Sequence, residues 1–314
     1  MPKKTTIGGQ AVIEGIMMKG PNKTALAVRV PDGSIDIEYI KEKHLKDKCK
    51  FWGWPIIRGT VNFIESMIVG YSAMMKSAEK SGFTDIEEEK PKNDKKQSAL
   101  MGVVMIVASV LGVALSIFLF MYLPSLVFDL TNRAFSGEIS AFKAVFEGVI
   151  KMAIFVIYML LVSRMKDIKR VFSYHGAEHK TIFCYESGEE LTVENVRKQS
   201  CLHPRCGTSF MLLMLVVGIL IGIVLTWCFP KLQQSDFRIA WVLIKILILP
   251  IICGVGYELL RFCGRHDNWF TRAISTPGMW MQKITTNEPE DSMIEVAIES
   301  LKAVLPENSE EDNW

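Results

Sequence analysis

Residues 99–128 read ALMGVVMIVASVLGVALSIFLFMYLPSLVF, thirty residues without a charge and with one proline, Pro124, near the far end. A helix needs about 20 apolar residues to cross a bilayer, so this run is long enough to span with tilt to spare. Three further runs follow. Ala144–Ser163 carries Glu147 and Lys151, Ser209–Phe229 is uncharged, and Ile239–Leu260 carries Lys245 and Glu258 and contains Pro250 and Gly254. The chain has 314 residues, 49% of them apolar, and clustering of that apolar content means that part of it uses lipid as its solvent.

The loops give the orientation. Residues 164–208, after the second run, hold eight lysines or arginines, and Lys90, Lys92, Lys95 and Lys96 precede the first run. The connection between runs one and two offers only Arg133, and that between runs three and four offers Lys231 and Arg238. Cytoplasmic loops carry the basic excess, so the N-terminus, the middle loop and the C-terminal tail read as cytoplasmic. A net charge of +2 gives no argument for nucleic acid as a partner. Met1–Gly9 has basic residues but no apolar core of the right length behind it, unlike a signal peptide. The seven cysteines do not form a disulfide framework: Cys228 and Cys253 fall inside apolar runs, and most others lie in segments read as reducing cytosol.

The flanks divide further. Residues 1–50 contain a small β unit over 7–40, with Thr24–Val30 and Ser34–Ile40 partly alternating about the turn Pro31-Asp32-Gly33. Residues 51–80 open on Trp52, Trp54 and Pro55; then Arg58, Asn62, Glu65, Ser72 and Lys76 recur at roughly helical spacing. That pattern is an amphipathic helix, lying at the membrane interface or packed on the soluble part. Residues 81–98 are charged and aperiodic, a linker. The four-span domain covers 99–260, and the tail 261–314 shows one short amphipathic helix marked by Met293, Val296, Ala297, Leu301 and Val304, with disorder expected after Pro306. The expected architecture is mainly α: a polytopic helical membrane protein with about four transmembrane helices, an amphipathic interfacial helix and a small N-terminal β unit.

His175-Gly176-Ala177-Glu178-His179 in the middle loop has the form H-x-x-E-H, the inverted zinc-hydrolase motif. Residues four apart share a helix face, so two imidazoles can address one ion. Glu178 then stands where it can take a proton from water that the ion acidifies. The structural alternative is a pair of exposed histidines beside a solvated glutamate, and Gly176 weakens the helix on which the motif depends. Further ligands are offered by Cys201, His203 and Cys206. Two of these would close a four-coordinate structural site; one would leave a position for water and make hydrolysis possible. His266 and Asp267 are candidates from the tail, with surface polarity as their plainer reading. Glu147, Lys151 and Lys245 form a second constellation, either a polar path or a structural Glu147–Lys245 pair.

The segments Gly8–Pro21 (GGQAVIEGIMMKGP), His175–Lys180 (HGAEHK) and His203–Phe210 (HPRCGTSF), with Pro277-Gly278, Gln282 and Thr285-Thr286, resemble the YqhQ-like bacterial membrane proteins. That family is one of unknown function, described as candidate metal-dependent enzymes. The resemblance covers most of the chain and implies a multi-pass protein of the bacterial inner membrane. It makes His203 and Cys206 better third ligands than Cys201 and draws attention to Glu14. Met279 and Asn287 depart from the pattern, where leucine and arginine are expected.

Three functions follow. The first is a membrane-bound metal-dependent hydrolase at the cytoplasmic face, with His175 and His179 binding Zn²⁺ or a similar divalent ion, His203 or Cys206 completing the protein shell, and Glu178 as general base. The second is a non-enzymatic scaffold or biogenesis factor with a structural zinc, and the third a transporter. The partners are the bilayer and a lipid, peptide or membrane protein. His175 follows Ser163 by about twelve residues, roughly 18 Å along a continuous helix, which puts the site at or just below the cytoplasmic surface.

Overall fold

The computed structural model describes residues 5–41, 50–83, 95–229, 238–266, 268–307 and 312. It is mainly helical, with four helices long and apolar enough to cross a membrane and a small antiparallel sheet near the N-terminus. By contacts the chain forms two units, Met1–Glu87 with Met159–Leu213 and Gly254–Trp314, and Glu88–Tyr158 with Met214–Cys253.

In the first unit, β1 (Gly8–Val12), β2 (Gly15–Lys19), β3 (Thr24–Arg29) and β4 (Ile35–Ile40) pair in sequence order. β3 and β4 are the strands read from the sequence; β1 and β2 extend them. The near-continuous apolar runs of β2 and β3 arise because both faces are covered. On one face Val12, Met17, Leu26 and Val28 meet Ala73 of α1 (Ile57–Lys80). On the other, Ile16, Met18, Ala25 and Ala27 meet Tyr174, Ala177 and Ile182 of a central helix and Ile294, Val296 and Leu301 of a C-terminal one.

α1 is amphipathic as the sequence indicates, but its small residues face inward: Gly59, Val61, Gly70, Ala73 and Ser77 are buried. Ile64, Met67, Ile68, Tyr71 and Met75, at helical spacing, are exposed.

The second unit contains most of the apolar helices. α2 (Lys95–Ile117) runs through a π turn at Phe118–Tyr122 into α3 (Leu123–Ala134). Pro124 therefore does not end the first span. It stands in the first turn of α3, where its missing N–H matters least. α4 (Lys143–Val162), α7 (Gly207–Cys228) and α8 (Arg238–Arg265) are the other long apolar helices. Glu147 and Lys245 pair at 2.6 Å, the arrangement of the structural alternative.

Between α4 and α7 lie α5 (Lys166–Glu186) and the short α6 (Val193–Arg197). The tail departs from its reading as one helix. α9 (Trp269–Thr285) precedes α10 (Asp291–Val304). α9 begins at a capping box of Asn268 and Thr271 and continues through Pro277. The expectation of disorder after Pro306 is also corrected at one position: Asp312 is buried and accepts hydrogen bonds from Thr5 Oγ1 (2.5 Å) and Thr6 N (2.8 Å). Most of the linker read at 81–98 lies outside the described residues, and Lys95 already belongs to α2.

Candidate metal centre

α5 is the spine of the site. Residues Tyr174–Ile182 are buried along it, and His175 and His179, four apart, bring their rings to 4.4 Å in an edge-on arrangement. Gly176 has a packing reason: a Cβ there would stand 2.1 Å from the Asn287 carbonyl oxygen. The segment after α9 is bound to α5 at that point, with Asn287 N donating to Phe172 O (3.0 Å) and Asn287 Nδ2 to Lys169 O (3.1 Å). The departure at Asn287 thus supplies a helix contact rather than a charge.

The third participant arrives from the loop before α7. His175, His179 and Cys206 are the one group of three His, Cys, Asp or Glu residues among those described whose ligand atoms, one from each, all lie within 4.8 Å of one another. His175 Nε2 is 3.1 Å from Cys206 Sγ. Both imidazoles are oriented by backbone carbonyls, His175 Nδ1 by Thr285 O (2.8 Å) and His179 Nδ1 by Cys201 O (2.5 Å). A carbonyl only accepts, so each Nδ1 carries the proton and each Nε2 presents a lone pair. Outer contacts of this type orient histidine ligands at metal sites. His179 Nε2 is buried with no hydrogen-bond partner among the described residues. Two imidazoles and a sulfur, with that orphaned nitrogen, fit a zinc-like divalent ion with one coordination position left over.

Glu178, next to His179 on α5, reaches the first strand. Its Oε1 accepts the Gly9 N–H at 3.0 Å, and its Oε2 is buried without a partner among the described residues. Burial pushes its carboxyl above the usual range, against the pull of His175 and of the Gly9 N–H. A cavity of 370 Å³ is lined by Glu178, His179, His203, Cys206, Gly9 and Lys19 among others, so the motif and the edge strand share one space.

His203 stands beside the group without joining it. Its ring lies 5.6 Å from that of His179 and 4.5 Å from Phe183, and its Nδ1 accepts the Arg205 N–H at 3.3 Å. The neutral ring therefore carries its proton on Nε2, which faces Glu186 Oε2 at 3.5 Å. Burial holds this imidazole below its usual range. Cys201 contributes its carbonyl rather than its sulfur. Its Sγ turns to Glu288 Oε2 (3.4 Å), and burial pushes the thiol up to about 12. Glu14 is engaged by Arg170 (Nη2 to Oε2, 2.7 Å) and by Tyr174 (3.2 Å), and His266 Nδ1 donates to Phe262 O (3.1 Å). Neither is gathered at the group, and Asp267 lies outside the described residues.

Three positioning residues are given no place at the site by the sequence reading, which takes Gln282 and Thr285 only as marks of the resemblance and does not single out Glu186. Gln282, fully buried, accepts the His203 N–H and donates to the His203 carbonyl, both at 2.7 Å, and reaches Ser209 Oγ at 3.1 Å. It holds the loop that delivers Cys206. Thr285 orients His175. Glu186 binds the Thr5 N–H (2.8 Å) and Arg205. Its spacing of seven from His179 was a legible signal, because 175, 179, 182 and 186 follow one helix face.

The model of a family described as "Protein of unknown function (DUF1385)" matches residues 54–307. The chain is 34% identical over 301 residues to "Uncharacterized protein YqhQ" of Bacillus subtilis (strain 168), covering 95% of this chain and 92% of that one. No solved structure matches the chain.

Proposed function

The chain belongs to the DUF1385 family, a family of unknown function, so the reading must come from the site itself, and we propose a metal-dependent hydrolase of the bacterial inner membrane working at the cytoplasmic face. The observation that carries this is the gathering of His175, His179 and Cys206 with two carbonyl-oriented imidazoles, beside a cavity that His179, Cys206 and Glu178 line. Three protein ligands are the number that leaves a catalytic position. Four apolar helices and the basic excess of residues 164–208 support the membrane placement with both termini inside. The exposed apolar stripe of α1, following Trp52 and Trp54, supports its lying in the interface.

When bound, a zinc ion would supply Lewis-acid polarisation of the scissile bond and acidify the attacking water. The chain's own residues do the rest. Thr285 O and Cys201 O hold the two imidazoles in the tautomer that binds. Gln282 fixes the loop carrying Cys206. Glu178 Oε2, without a partner among the described residues and in a carboxyl whose proton affinity burial has raised, takes a proton from water and returns it to the leaving group.

The test is metal content with function. His175→Ala, His179→Ala and Cys206→Ala should each lose an ion that the purified protein carries, about one per chain, while Glu178→Gln keeps metal and abundance but fails to restore a deletion strain. Retention of full metal by both histidine variants sinks the metal reading. The second reading, a scaffold with a structural zinc, draws on the nearness of His203 to His179. Loss of the ion in His203→Ala, with full restoration by Glu178→Gln, would favour it.

A further inference from the structure

A second cavity, also of 370 Å³, shares no lining residue with the first. Leu160, Arg164, Lys169, Lys283, Ile284 and Asn287 are among its walls. Arg164 follows α4 by two residues, Lys169 belongs to the first turn of α5, and Lys283 to the last turn of α9. Three cations from three places in the sequence therefore meet at one concavity that no acidic residue lines. Among the described residues none of the three side chains has an acidic partner. The basic excess at the end of a span explains Arg164 and Lys169 individually. It does not explain Lys283, which follows the last apolar helix and is brought to the same cavity by tertiary packing.

Beside the charges, Leu160 and Ile284 give the cavity an apolar part, and exposed tryptophans stand outside it on α9. Leu160, in the last turn of α4, is 38% exposed. Trp280, one turn before Lys283 and Ile284 on α9, is 65% exposed, and Trp269 at the other end of α9 is 80% exposed. Exposed tryptophans on an amphipathic helix suit the headgroup layer. α9 turns the opposite face inward, where Gln282 and Thr285 hold the metal-centre residues. Asn287 lines the cavity, donates to Lys169 O, and packs its carbonyl against Gly176.

Resting on the membrane placement given above, we propose that this cavity binds the phosphate of an anionic phospholipid, with an acyl chain passing Leu160 and α9 lying in the headgroup layer. Basic pockets beside apolar helices on the cytoplasmic side have the chemistry for such headgroups. The phosphate meets three cations that have no acidic partner among the described residues, and the diester of a lipid, unlike free phosphate, also uses Leu160 and Ile284. The contact would tether α9, and through its inner face the loop bearing Cys206, to the bilayer.

The full chain is placed in nanodiscs of phosphatidylcholine with a minority of phosphatidylglycerol, and co-retained lipid is measured after extraction by native mass spectrometry. The wild type should retain phosphatidylglycerol about tenfold above its share, since each basic residue near the surface contributes appreciably to anionic-lipid attraction. The triple variant Arg164→Gln, Lys169→Gln, Lys283→Gln should lose that preference. A charge-matched control, Lys166→Gln, Arg265→Gln, Arg272→Gln, should keep it. The single variant Lys283→Gln, which tests the residue furthest along the sequence, should lose a large part. Equal loss in pocket and control variants, or no preference in the wild type, overturns the proposal. Binding of inorganic phosphate that competes fully with the lipid, with no gain from the acyl chains, overturns it in favour of a soluble anion. Entry into discs without lipid preference leaves the membrane placement standing and the pocket refuted, whereas failure to enter discs with four protected spans defeats both.

Discussion

Gly176 and Gln282 show how single residues hold the His175, His179 and Cys206 group in place. A methyl group at Gly176 would meet backbone, the Asn287 carbonyl at 2.1 Å, which has no rotamer through which to retreat. Alanine is the better helix former by about 1 kcal/mol, yet overpacking a tight contact costs about 1–3 kcal/mol or more. Gly176→Ala is therefore expected to lower the melting temperature and weaken metal retention, while Gly222→Ala, with nothing within 4 Å, leaves metal retention unchanged and holds or slightly raises the melting temperature. Equal behaviour of the two variants in a thermal melt would show that the contact is immaterial. Gln282→Ala removes both hydrogen bonds to the His203 peptide and leaves its N–H and C=O buried without them. Such orphaned groups cost about 1–3 kcal/mol each, and loss of an outer contact lowers metal affinity by about 10- to 100-fold. Competition with a chromophoric chelator measures this, and an unchanged affinity would remove Gln282 from the metal centre's support.

Among the elements, the pairing of α1 with β4 has a pH dependence of definite sign. Glu38 is held below the usual carboxylate range by Lys76, at 2.5 Å, and by Lys80, at 2.7 Å. A depressed folded-state value means that the ionised form is bound more tightly in the fold. The stabilisation is present above the unfolded-state value and disappears as pH falls through the depressed one. Acidification below the ordinary glutamate range is thus expected to speed amide exchange in Ile35–Ile40 and at the C-terminal end of α1. In Lys76→Gln, Lys80→Gln the acid-dependent acceleration should vanish, because Glu38 then has no cation to lose. These groups are partly exposed, so the effect is modest and declines with salt.

For the whole molecule the expected arrangement is N-in, C-in with four spans. A reporter fused after Trp314 should be active only in its cytosolic form. Ala177 is fully buried and useless as a surface probe, whereas Lys198 and Gly137 are exposed. A cysteine at Lys198 should react with an impermeant thiol reagent in inverted vesicles, and one at Gly137, between α3 and α4, only in right-side-out cells. The reverse pattern would invert the topology and place the proposed metal site outside the cytoplasm.

The four apolar helices were legible residue by residue. In lipid a backbone must satisfy its own hydrogen bonds, so the length of an apolar run is a local and sufficient signal. The hairpin about Pro31-Asp32-Gly33 and the pairing of His175 with His179 were legible for similar reasons, since turn chemistry and helical spacing act within a few residues. The third member of the group was not legible. His203 and Cys206 stand three apart on one loop, and the course of that loop is held by Gln282, seventy-nine positions from His203, which grips the peptide of His203. The resemblance drew attention to Glu14, but Arg170 and Tyr174 engage it across the fold. Gly176 read as a weakness in the helix and proved to be the point where Asn287 packs against it. In each case the deciding interaction is a directional hydrogen bond or a close backbone contact between distant segments, and such contacts exist only once the chain has folded.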